Sequence, residues 1–202
     1  MKEKLQSVLI VAFIIVVFAS SISYVFAEEG NQQYSSGYYQ LNLVIEKQTS
    51  GNNTSGMYSF YVLENGMLQP SSVIKVPFGK EIKITIINFD QGTSLPLASS
   101  AENVTGVVSG TILASSSIST SNAQALTSKS GQSVSEIPAR EISHTFTTDT
   151  GLNIPIYPHS TEVAYTYFNT VGNYTWGCMC QCGIYSMDAS GSMVGQLVVL
   201  PP

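Results

Sequence analysis

The sequence predicts an all-β sandwich, and three observations carry that prediction. Short β-prone segments recur between clusters of turn residues, and beyond Gly37 nothing shows helical periodicity. The best-defined segment places Ile82, Ile84 and Ile86 on one face and Lys83 and Thr85 on the other, the period of a half-buried strand.

Taken in order, the chain opens with Lys2 and Lys4 before an apolar run from Leu5 to Ala27. At 1.5 Å per residue this run is long enough to cross ~30 Å of hydrocarbon. Residues 1–27 are therefore expected to be a single membrane anchor with its amino terminus in the cytoplasm and the rest outside the cell membrane. A cleaved signal peptide is the alternative, because Val25-Phe26-Ala27 offers a peptidase site. Residues 28–37 form a polar linker, and residues 38–202 are expected to form one domain.

Within that domain "YYQLNLVIE" alternates apolar and polar groups as a strand does. "MYSFYVLENGML" reads as a hairpin, because Asn65-Gly66 supplies the positive φ of a tight turn. "SVIKVPFGKEIKITIINFD" follows, then a Ser/Thr-rich insertion at about 91–138, read as a surface excursion that has room for an extra hairpin. "EISHTF", "TEVAYTYF", "GNYTWGC" and "GQLVVL" complete about seven or eight strands, enough for a sandwich. Tyr174 and Trp176, two apart on one strand, are expected to share a face and pack in the core.

Composition removes several functions. Only 10% of residues are charged and the formal net charge is -5, so no basic stripe exists to neutralise phosphates, and nucleic acid is not expected as a partner. The low charge density suits a domain facing acid, where carboxylates are protonated. Asn52, Asn53, Asn103 and Asn173 open N-x-Ser/Thr sequons, which matter only in a cell that glycosylates its exported proteins. Gly-x-Ser-x-Gly and phosphate-binding glycine loops are absent, so no catalytic residue is assigned within this chain.

What chemistry the chain carries lies in "WGCMCQCGIYSM", which holds all 3 cysteines. Outside the cytoplasm a disulfide is permitted, but an odd count leaves one thiol over. Structural zinc would need a fourth soft ligand and a second Cys pair. Soft thiolate and thioether donors combined with imidazole select copper, and His144, the cysteine cluster and Met193 fall on consecutive loops of the expected sandwich.

The segments "VPFGKEIKITIINFD", "EISHTFT", "GNYTWGCMCQCG" and "MVGQLVVL" together resemble the cupredoxin domain of subunit II of haem–copper terminal oxidases, a Greek-key β-sandwich. That family carries a dinuclear copper centre, CuA, on a histidine followed later by C-x3-C-G-x2-H-x2-M. The resemblance implies metal ligation by His144, Cys178, Cys182 and Met193, with Cys180 where the family offers a backbone carbonyl. It also implies an oxidase subunit I and other membrane subunits as partners, and a quinol or a small redox protein as electron donor.

Two departures qualify this. Ser186 stands where the family has its second histidine, and the stretch from Cys182 to Met193 is longer than the pattern. The expectation is a degenerate CuA site, as in quinol-oxidising members that have lost it, with His159 and Cys180 as candidate replacement ligands. A stand-alone membrane-anchored copper carrier of the blue-copper kind, or a copper chaperone, is the alternative, drawing on His144, one cysteine, Met193 and His159.

Overall fold

In the computed structural model the described residues are 37–50, 53–116, 129–182 and 190–202. The expected anchor at 1–27, nearly all of the linker, and Ser186 lie outside them. Among the described residues no helix is long and apolar enough to cross a membrane.

Alternating side chains make the strands. From Glu81 to Asn88 every second residue is buried, so Ile82, Ile84 and Ile86 face inward together with Asn88. From Ser160 to Tyr167 the same alternation turns Ser160, Glu162, Ala164 and Thr166 inward. The compact unit Tyr38–Pro202 is all-β, as the sequence predicts.

One sheet contains β1 (Tyr39–Ser50), β2 (Asn53–Glu64), β3 (Met67–Pro70), β5 (Glu81–Asn88), β6 (Ile112–Ser116), β7 (Lys129–Val134) and β10 (Ser160–Tyr167), in the order β3-β2-β1-β5-β10-β6-β7. The other contains β4 (Val73–Pro77), β8 (His144–Thr148), β9 (Asn153–Ile156), β11 (Gly172–Gly177) and β12 (Val194–Leu200), in the order β4-β12-β11-β8-β9. Pairing is parallel between β1 and β5 and between β4 and β12. The chain passes between sheets at Phe78–Lys80, where Gly79 takes a φ of 67° that favours glycine.

The hairpin expected at Asn65-Gly66 joins β2 to β3, with positive φ at both residues (53° and 74°). The insertion does more than loop out. β6 and β7 extend the larger sheet beyond β10, and β9 is a further strand that its Pro155 obscures in the sequence.

Between the sheets Ile82, Ile84 and Ile86 join Phe60, Phe146, Trp176 and Leu197 in a continuous core. Each large side chain removed from water in this way contributes roughly 1.5–3 kcal/mol. Trp176, the only tryptophan, is fully buried, contacts Phe60 and Phe146, and donates its indole N–H to the Ser71 carbonyl at 3.0 Å. Tyr174, on the same strand, is half-buried against this core and donates its hydroxyl to the Thr170 carbonyl.

Candidate metal centre

Four chain segments converge at one end of the sandwich. β5 runs out into Asp90, β8 begins with His144, β11 runs out into Cys178, and Met193 precedes β12. β11 pairs with both β12 and β8, which brings these ends together although His144 and Cys178 are 34 residues apart. The Cys178 backbone N–H donates to the Met193 carbonyl at 2.8 Å, and the Met179 N–H donates to the Thr145 hydroxyl at 2.7 Å, closing the end.

His144, Cys178 and Cys182 place their donor atoms within 4.8 Å of one another. Nδ1 of His144 lies 3.1 Å from Cys182 Sγ and 4.0 Å from Cys178 Sγ. The two sulfurs are 2.9 Å apart, and all three cysteines are free thiols. The opposite ring nitrogen, Nε2, lies 3.0 Å from Asp90 Oδ2. A carboxylate can only accept, so Nε2 carries the hydrogen and Nδ1 is left directed at the sulfurs.

Asp90 is itself held. Its backbone N–H donates to Asn88 Oδ1 at 3.0 Å, and its Oδ1 accepts the Gly92 N–H at 2.9 Å. The Tyr58 ring stands 5.9 Å from the imidazole. Burial and the neighbouring Asp90 carboxylate push its phenol up to about 12. Asp90 was not singled out from the sequence. The available signal was a lone acid ending the Ile-rich strand in a chain so poor in charge.

The electrostatics follow from this geometry. Burial of His144 (1% exposed) disfavours its cation, but hydrogen bonds to Asp90 and Cys178 outweigh burial and raise its pKa to about 9. Burial pushes the Cys178 thiol up, yet the hydrogen bonds from Cys180, Cys182 and His144 hold it well below the usual thiol range. The Thr145 N–H, 3.3 Å from its sulfur, adds a donor. Cys180 and Cys182 are pushed upward chiefly by their bonds to the Cys178 sulfur, so the negative charge settles on one thiol of the three. For Asp90, burial raises the pKa, but the His144 and Gly92 hydrogen bonds prevail and lower it.

The remaining expected ligands sit differently. Cys180 is fully buried, bridges to Pro96 and interacts with the Cys178 side chain, but it is not in the three-donor group. His159 also stands outside it. Held at a φ of 47°, it anchors the site by its backbone, donating its N–H to the Asp90 carbonyl at 2.6 Å. Met193 is fully buried, and its carbonyl accepts the Cys178 N–H.

Part of the insertion also belongs here. The Leu97 N–H donates to the Met179 carbonyl and the Gln181 N–H to the Leu95 carbonyl, so residues 95–97 lie along the cysteine loop. The insertion expected as a surface excursion is thus tied to the cysteine loop by its backbone, while the Leu95 and Leu97 side chains stay exposed.

One imidazole, one thiolate and a second thiol 2.9 Å away make a soft donor set, and that chemistry fits copper. The fixed tautomer and the stabilised thiolate are features a metal-binding histidine and cysteine need.

No family model matches the chain, and no curated protein does. Among solved structures, rusticyanin from Thiobacillus ferrooxidans is similar at 15% identity and a TM-score of 0.34, over 83% of this chain and 80% of that one. A multicopper oxidase from Campylobacter jejuni, a metallo-oxidase, is similar at 13% identity and a TM-score of 0.40, over 84% of this chain and 31% of that one. A multi-copper oxidase from Pediococcus acidilactici gives 10% identity and a TM-score of 0.39, over 83% of this chain and 27% of that one. At such TM-scores the functional reading rests on the site's own geometry.

Proposed function

We propose that this chain is a copper-holding electron-transfer domain, related to subunit II of haem–copper terminal oxidases, in which CuA is reduced to a centre with one imidazole and two sulfurs. The observation that carries this reading is the convergence of His144 Nδ1 and the Cys178 and Cys182 sulfurs within 4.8 Å, with the imidazole oriented from behind by Asp90.

Bound there, copper supplies one-electron redox chemistry. The chain's residues do the rest. Cys178 offers its thiolate, Cys182 its sulfur on deprotonation, and His144 its Nδ1 lone pair once the ring proton leaves. Loading therefore releases protons. With 2 histidines in the sequence and His159 outside the donor group, a second imidazole is not supplied. That favours a single-metal or metal-poor centre and, in the oxidase setting, a quinol donor that bypasses CuA. The partners would be subunit I and its membrane neighbours, with the anchor at 1–27 holding the domain on the outer face of the cell membrane.

A second reading is a stand-alone anchored copper carrier or chaperone. Leu95 (66% exposed) and Leu97 (59% exposed) favour it, because their backbones bond the cysteine loop while their side chains offer apolar surface for a transient partner.

The test is to load the full chain in detergent with copper under reducing conditions, oxidise it, and record metal content with visible and EPR spectra. One copper per chain, lost in Cys178→Ser, is the expected result. A two-copper mixed-valence signal would overturn the single-metal reading. No copper binding at all would remove the electron-transfer role and leave a structural subunit.

A further inference from the structure

A second buried acid lies on the far side of the support that holds Asp90. Glu162 is fully buried in the middle of β10, opposite Ile86 on β5 and Ala114 on β6. Its Oε1 accepts the Tyr157 N–H at 3.0 Å and lies 2.6 Å from Ser160 Oγ. Its Oε2 is buried with no hydrogen-bond partner.

Ser160 Oγ also lies 2.6 Å from the Tyr157 carbonyl. Two oxygen–oxygen contacts this short need a hydrogen each. The serine hydroxyl has one, and a carbonyl has none to give. If the serine hydrogen goes to Tyr157, the hydrogen between Ser160 and Glu162 must be the proton of a neutral carboxylic acid. The bare Oε2 agrees, because an ionised carboxylate with one oxygen against apolar strands would bury an uncompensated charge.

The turn so closed is joined to the metal centre by a hydrogen bond at every step. The Tyr157 carbonyl also accepts Asn88 Nδ2 at 2.8 Å, Asn88 Oδ1 accepts the Asp90 N–H, and Asp90 Oδ2 meets His144 Nε2. A second strand of this support runs through His159, whose N–H bonds the Asp90 carbonyl.

We propose that Glu162 is a proton-dependent positioning residue for the centre: as a neutral acid it closes the Tyr157–Ser160 turn, which through Asn88 and Asp90 fixes the imidazole of His144. The proposal rests on the reading of His144 as a metal ligand. Burial, outweighing the hydrogen bonds from Ser160 and Tyr157, pushes the Glu162 carboxyl up to about 8. Its ionisation would leave Ser160 with one hydrogen for two acceptors, and the turn would give way.

On the strands packed against β10 the described titratable groups are few. Glu81 and Lys83 on β5 point to the face opposite Ile82, Ile84 and Ile86, and β6 and β9 carry none. Tyr165 and Tyr167 on β10 itself alternate outward from Glu162. Beyond β9, His144 stands on β8, and Tyr157 and His159 are in the turn. Of these only Tyr157 bonds the carboxyl, through its backbone.

The test compares wild type, Glu162→Gln, which cannot ionise, and Ser160→Ala, which cuts the link to the turn. Affinity of the full chain for Cu(I) is measured against a chromophoric chelator from about pH 6 to about pH 9, and the ring-nitrogen NMR resonances of His144 are followed in the metal-free chain over the same range. Proton release from His144 and the thiols is common to all three, so the ratio of affinities isolates Glu162. Because glutamine cannot ionise, the ratio of Glu162→Gln to wild-type affinity should rise about tenfold from near pH 6 to near pH 9, whatever offset the amide causes at pH 6, one unit of proton linkage. The His144 signal should change with Glu162 ionisation in wild type and lose that component in both variants.

Parallel pH profiles for wild type and Glu162→Gln would overturn the proposal. If Glu162→Gln does not fold, Ser160→Ala and the wild-type resonances decide it. If nothing binds copper at any pH, the metal reading fails, and the His144 resonances still decide whether Glu162 positions the ring.

Discussion

Nε2 of His144 spends its hydrogen on Asp90, and everything the imidazole can offer a metal depends on that bond. Truncating Asp90 to alanine frees the ring to turn and leaves the Gly92 N–H without its acceptor, while the backbone bond to Asn88 Oδ1 remains. The expected result of Asp90→Ala is a Cu(I) affinity about 10–100-fold weaker, measured by chelator competition. The three cysteines should separate in the same assay. Cys178→Ser removes the stabilised thiolate and abolishes binding, and Cys182→Ser removes the sulfur nearest Nδ1. Cys180→Ser, outside the donor group, should keep a one-copper centre. Equal losses in all three would mean that Cys180 ligates.

The strands set the precision of the site through close packing of β11 against β12. A Cβ added at Gly195 would stand 2.5 Å from Trp176 Nε1 and 2.9 Å from the Ser71 carbonyl, so the indole and β12 meet only because this residue has no side chain. Gly195→Ala should cost about 1–3 kcal/mol in urea unfolding and move the end of β11 that carries Cys178. An unchanged midpoint would show that Trp176 can yield. The cysteine loop is tied on its other side by residues 95–97, a role that nothing in the Ser/Thr-rich composition of the insertion announces.

Across the whole molecule the buried acid sets a pH trend. The folded pKa of Glu162 is about 8 against an ordinary 4.5, so its unfavourable ionisation is absent below about 4.5 and grows as pH rises towards 8. Stability should therefore fall over that window, by on the order of 5 kcal/mol at its alkaline end for this group alone. Fluorescence of the single tryptophan, Trp176, gives the readout: thermal midpoints of the metal-free chain should be higher near pH 5 than near pH 8. Glu162→Gln should flatten the difference. This direction agrees with a domain whose low charge density suits acid, and a midpoint that rises with pH would contradict both.

What the sequence determined by itself was whatever local pattern encodes. The period of two at Ile82, Ile84 and Ile86 made the sandwich face, Asn65-Gly66 made its hairpin, and the spacing of His144 and the cysteines pointed to the soft donors that now stand within 4.8 Å. What only the tertiary structure decided was which side chains meet across distant strands. It set Asp90 behind His144, left Cys180 and His159 outside the donor group, enclosed Glu162, and laid residues 95–97 on the cysteine loop. Periodicity fixes the face a residue takes on its own strand, but a contact between strand ends depends on how both sheets pair and stack, and no local pattern records that.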